Sequence, residues 1–255
     1  MLDGMKRAAQ GMISMSQKQD VIASNLANTG TAGFRKDMSK VTSFSDVLAV
    51  EMNPSGAVTP EFIQAGGDVS TEGMLFTSSV TSFAQGSMRQ TSNNLDLALN
   101  DDGKGLFTIQ TPDGLRYTRS GNFKLSSDGH MVTNDGSYVM GHRGKIKLNS
   151  ADFEVSNAGE VKLDGKVVDK LMITTFDDPS KLKKLGSSYF VASSMGKVSK
   201  DAQVMQGFLE MSNVNPIKEM VDMITVMRAY EANQKVLQTE DQMLGRATNE
   251  VGRLR

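Results

Sequence analysis

The sequence predicts an α+β fold, mainly β, in which an antiparallel β domain in the middle of the chain is flanked by long N- and C-terminal helices. Three observations predict it. Apolar residues recur at alternating spacings of four and three at both ends, Asp-Gly pairs punctuate the middle, and 17 of the 24 glycines fall between Gly56 and Gly196. The first is the period of a helix with one apolar face; the other two are the turn chemistry of hairpins.

The N-terminal helix rests on Met1, Met5, Ala8, Met12, Met15, Gln19, Ile22 and Leu26, a heptad seam broken only by Gln19. As a helix, residues 1–28 would span ~42 Å. The pattern stops in SNLANTGTAGFRKD (24–37), where Asn28 and Gly30 suit a helix C-cap and Gly33 a second turn. Asn25 and Asn28 can bond backbone or a neighbour, and Phe34 can pin the emerging chain. Arg35 and Lys36 are expected to face solvent or an adjacent subunit.

The C-terminal helix has a clear start. Asn215 can cap free N–H groups, Pro216 at the first helical position loses no needed donor, and Glu219 and Asp222 suit the positive end of the dipole. Its seam reads Met220, Met223, Met227, Tyr230, Gln234, Leu237, Asp241, Leu244, Ala247, Val251 and Leu254. Arg228 and Lys235 lie within reach of Glu231 on the helix surface.

Between the helices, Asp102-Gly103, Asp113-Gly114, Asp128-Gly129, Asp135-Gly136 and Asp164-Gly165 separate short runs such as LFTIQ, LRYTRS, NFKLS, HMVTN and EVKLD. Asp-Gly readily takes the positive φ of a tight turn, so these runs read as antiparallel hairpins. The resulting division is 1–34 and 209–255 for the helices, 35–70 for a polar connecting stretch with no assignable elements, and 71–208 for the β domain. A seam as long as either helix needs a partner. Two arrangements satisfy it: an intramolecular helical hairpin, or a coiled-coil layer that joins subunits.

Composition excludes several functions. Twenty-eight basic and 29 acidic residues, with no run of five like charges, give no field for nucleic acid. Without cysteine there are no disulfides or thiolate sites. The first 30 residues lack the unbroken apolar core of a cleaved signal, and no stretch is long enough for membrane insertion. His130 and His142 have no ligand-spaced partners, and NDDGKG (100–105) reads as a turn, not a calcium loop. Asp101/Asp102 and Asp177/Asp178 are adjacent pairs expected to be solvated. No catalytic residue, metal or cofactor is expected, and an enzyme is disfavoured. A soluble β-domain ligand-binding protein with an intramolecular helical hairpin is the alternative from another class.

Three blocks carry a resemblance: SNLANTGTAGFRKD (24–37), NNLDLALNDDGKGLFTIQTPDGLRYTRSGNFKLSSDGHMVTNDGSYVMG (93–141) and LEMSNVNPIKEMVDMITVMRAYEANQKVLQTEDQML (209–244). Together they resemble the bacterial flagellar axial proteins, the basal-body rod and hook subunits, with the tail GRATNEVGRLR nearer the proximal rod type than the distal. The resemblance implies a structural subunit exported by the flagellar type III apparatus without a cleaved signal. It also implies helical stacking with itself and other rod and hook proteins in the periplasm, with the P-ring, L-ring or peptidoglycan as surroundings. The residues expected to carry assembly are Met5, Met12, Ile22, Asn25, Leu26, Asn28, Phe34, Asn213, Asn215, Met220, Met223, Met227, Arg228, Tyr230, Leu237 and Leu244.

Overall fold

A computed structural model of the chain describes residues 2–43, 75–148, 153–163, 165–192, 196–199 and 202–252. Most of the connecting stretch, from residue 44 onward, lies outside the described residues. Its first part, Asp37–Ser43, is a strand paired with Leu75–Thr81, which the periodicity of the sequence did not reveal. The chain is mainly β with a helix at each end. It divides into two compact units, one of residues 1–24, 37–80 and 217–255, the other of residues 25–36 and 81–216.

The β unit is built on the strand Gly105–Thr111, whose first five residues are all buried. Alternation along it feeds two layers. Phe107 and Ile109 enter a core with Leu97, Leu99, Phe123, Met131, Val139, Ile146 and Leu148, while Leu106 joins Tyr117, Leu182 and Phe190. Phe107 and Phe123 meet edge to face at 5.2 Å. The strand pairs antiparallel with Gly114–Thr118, Tyr138–Gly141 and Ile173–Thr175. Glycines of the Asp-Gly pairs take positive φ, +83° at Gly136 and +123° at Gly114, so the hairpins turn where the sequence places them. Two further short pairings, Gln203–Gln206 on Leu97–Asn100 and Phe208–Glu210 on Met88–Gln90, bring the end of the unit back to its beginning.

In the helical unit, α1 (Leu2–Ala27) and α2 (Pro216–Gly252) lie antiparallel. A Cβ on Gly11 would stand 3.1 Å from the Asn233 amide nitrogen, and one on Gly4 3.0 Å from the Glu240 carboxyl carbon. Seven residues forward on α1 thus match seven backward on α2. Glycine at both points leaves room for the Asn233 and Glu240 side chains. All the described seam positions of α1 are buried or half-buried, from Met5 to Leu26.

The seam of α2 differs from expectation. Its less exposed line is Glu219, Met223, Val226, Tyr230, Asn233, Leu237, Glu240 and Leu244, whereas Met220, Met227, Gln234 and Asp241 are exposed. Of the eight seam positions from Met220 to Leu244, half are therefore shared and half displaced by one residue, while the side chains of Ala247, Val251 and Leu254 lie outside the described residues. Among the described residues no helix is long and apolar enough to cross a membrane.

Candidate functional site

The chain leaves α1 through a tight exit. Asn28 and Thr29 N–H donate to the carbonyls of Asn25 and Leu26 at 3.2 and 3.3 Å, narrowing the last turn, and the Thr29 hydroxyl donates to the same Leu26 carbonyl at 2.8 Å. Gly30 has no positive φ. The left-handed position is Gly33, at φ +69°, where a Cβ would strike the Arg119–Ser120 backbone. Of the expected Asn28 and Gly30 cap, Asn28 takes part and Thr29 stands in for Gly30, while Gly33 makes the second turn.

Phe34 follows, fully buried, with the Lys184 ammonium 3.8 Å above its ring and donating to the Arg35 carbonyl. Arg35 itself is 0% exposed. This overturns the expectation that it faces solvent or a neighbour. Its guanidinium donates to Glu210 Oε1 and to the Ala84 carbonyl, each at 2.7 Å.

Glu210 is the centre of a joint, within the β unit, between the exit segment and the strands. Its Oε1 also accepts the Gly86 N–H at 2.8 Å, its Oε2 accepts Arg119 Nε at 2.5 Å, and its carbonyl accepts the Gly33 N–H at 2.8 Å. Arg119 in turn donates to the carbonyls of Leu99 and Gly105 and pairs with Asp101 Oδ1 at 2.7 Å. Asp101 accepts the N–H groups of Gly103 and Gly105, so this carboxylate is a largely covered turn anchor, not the solvated group expected. Asp177 and Asp178 are solvent-exposed. Two arginines and two carboxylates share one dry site, where each charge depends on the others for its solvation. Burial holds the Arg35 guanidinium below its ordinary pKa, with Glu210 opposing the shift and Arg119 reinforcing it.

Asn213 ties the same corner. It accepts the Lys36 N–H at 2.7 Å and donates to the carbonyls of Ser82 and Ala84 at 3.0 and 2.8 Å. Asn25 and Phe34 are buried, Leu26 and Asn28 half-buried, and Asn215 exposed. Of the candidates in the helical unit, Ile22 is buried, and Met5, Met12, Met223, Tyr230, Leu237 and Leu244 are half-buried. Met220, Met227 and Arg228 are exposed. Sequence reasoning missed Glu210 and Arg119. The available signal was a charged residue set between apolar neighbours, as in FLEM (208–211).

Family models match three segments of the chain: one for flagella basal body rod protein over residues 5–35, one for the flagellar hook protein FlgE/F/G D1 domain over 102–163, and one for the flagellar basal body rod FlgEFG protein C-terminal over 205–250. The chain is 33% identical to the flagellar basal-body rod protein FlgG of Borreliella burgdorferi, over 98% of both chains. It is 34% identical to the FlgG of Bacillus subtilis, over 98% of this chain and 99% of that one. The chain belongs to the flagellar basal-body rod and hook protein family. Another relative is the flagellar hook-basal body complex protein FlhO of Bacillus subtilis, 27% identical over the full length of both. Each of the three matched segments of this rod-family chain supplies one charge to the buried joint: Arg35, Arg119 and Glu210. The family is structural, and nothing in these comparisons supports the ligand-binding alternative.

Proposed function

We propose that this structural rod subunit self-assembles helically, through its terminal helices, into the hollow periplasmic shaft of the flagellum. The observation that supports this reading is an apolar stripe left outside on α2. Ile217, Met220, Val221, Ile224 and Met227 are 74, 50, 57, 52 and 44% exposed, on the side away from Glu219 and Val226. Five such residues within three turns form an apolar face exposed among the described residues, which is the mark of a protein-binding surface. Contact through such a face to a different face of the next copy does not close on itself and generates a filament.

In this reading Met220 and Met227 make subunit contacts, while Met5, Met12, Ile22, Met223, Tyr230, Leu237 and Leu244 hold the helices that present them. Asn25, Leu26, Asn28, Phe34, Asn213 and Asn215 fix the exit from the helices, and Arg228 borders the stripe. Export uses the flagellar type III apparatus without a cleaved signal, and neighbours are other rod and hook proteins within the P-ring, L-ring or peptidoglycan surroundings. Among rod types, the relatives named FlgG favour that type over the proximal one.

Replacing Met227 by Asp tests the reading. The variant chain should accumulate and fold like wild type but be missing from purified basal bodies, because a carboxylate would be buried between subunits. Normal swimming with the variant incorporated would overturn it.

A further inference from the structure

The chain contains 18 methionines and no cysteine, so thioether sulfur is its only oxidisable sulfur. The methionines fall in opposite environments. Met131 is 0% exposed in the β core, whereas Met220 and Met227 are about half exposed, one heptad apart, within the apolar stripe of α2. Below Met227 the same side of the helix turns polar, with Arg228, Glu231, Lys235 and Gln238 all exposed. Both thioethers therefore sit inside the short apolar patch, which has few other side chains to carry it.

We propose that Met220 and Met227 are a redox-sensitive contact: a peroxide oxidises their thioethers to sulfoxides and so disables the apolar stripe. The inference rests on the assembly role assigned to that stripe. In the chemical step a sulfur lone pair attacks one peroxide oxygen, the O–O bond breaks and an S–O bond forms. Sulfur is oxidised by two electrons, and the peroxide is reduced to water, or to an alcohol if it is an alkyl peroxide. The product is a strong hydrogen-bond acceptor where an apolar group was needed, so packing the patch against another subunit leaves a buried acceptor without a donor. Leucine, of similar volume, keeps the patch apolar and cannot react.

Met243 provides an internal control. It is 58% exposed on α2 but lies off the stripe, so it should oxidise readily without consequence.

Two measurements test the proposal. In the purified full-length chain treated with hydrogen peroxide, peptide mass spectrometry should show Met220, Met227 and Met243 oxidised at least about tenfold faster than buried Met131. In cells, M220Q/M227Q, which mimics the polarity of the sulfoxide, should reduce incorporation into basal bodies at least about tenfold. M220L/M227L and M243Q should incorporate normally. Equal oxidation of Met131 and Met227, or normal incorporation of M220Q/M227Q, would overturn the inference. If Met227→Asp is also incorporated normally, the stripe is not an assembly face and the proposed function falls too. If Met227→Asp is excluded while M220Q/M227Q enters, only the redox inference fails.

Discussion

The β unit and the second helix invert each other's chemistry. In the β unit, Arg35, Arg119 and Glu210 are shut away from water, each side chain 0–1% exposed. On α2, Ile217 and its apolar neighbours are left in water. At these two places a residue's polarity therefore does not tell where it lies. What decides it is whether partners are supplied within the chain: three bonds to the Glu210 carboxylate make a buried charge tolerable, whereas the apolar stripe is left exposed among the described residues.

The comparison can be broken at either end. The largest effect is expected from Glu210→Gln, which keeps the shape but leaves Arg35 and Arg119 with only Asp101 as counter-charge. The β unit should lose about 3–5 kcal/mol, read as a fall in its urea midpoint, and a loss below about 1 kcal/mol would show that the pairs do not hold the joint. An intermediate effect is expected at the half-buried line of α2. Leu237→Asp should cost the helical unit about 2 kcal/mol and reduce helical circular dichroism, with the β unit's midpoint unchanged. If both units weaken together, they do not melt independently. The smallest stability effect is expected on the stripe itself. Ile224→Ser should change stability by no more than about 0.5 kcal/mol while lowering incorporation into basal bodies, and a large destabilisation would mean that the residue is covered within its own chain.

Much of the fold was legible because local chemistry dictated it. Asp113-Gly114 and Asp135-Gly136 turn wherever they occur, and Pro216 opens α2 as its missing donor requires. The α1 seam was legible because its apolar residues are the ones that turn inward. The α2 seam was half legible. Met223, Tyr230, Leu237 and Leu244 were correctly placed, but the intervening line contains Glu219, Asn233 and Glu240, which no search for apolar periodicity would select. The stripe at Met220 and Met227 drew the reading outward by one residue.

The joint was least legible. Phe34 and Gly33 could be assigned from the exit sequence alone, but Arg35 stands between Phe34 and Lys36 like any surface cation. Its partner is 175 residues away, beyond any local pattern. Asp101 was hidden for a related reason: its turn is local, but the Arg119 that shields it from water lies on another element. The strand Asp37–Ser43 shows no alternation that separates it from loop.

That separation of 175 residues also has a consequence in time. At about 5–20 residues per second, a chain emerging from its N-terminus presents Arg35 roughly 10–35 seconds before Glu210. Throughout that interval the cation lacks the carboxylate that it bonds in the folded chain. The exit from α1 is therefore among the first segments made and among the last to be fastened, and the stretch that fastens it is the one leading directly into the second helix.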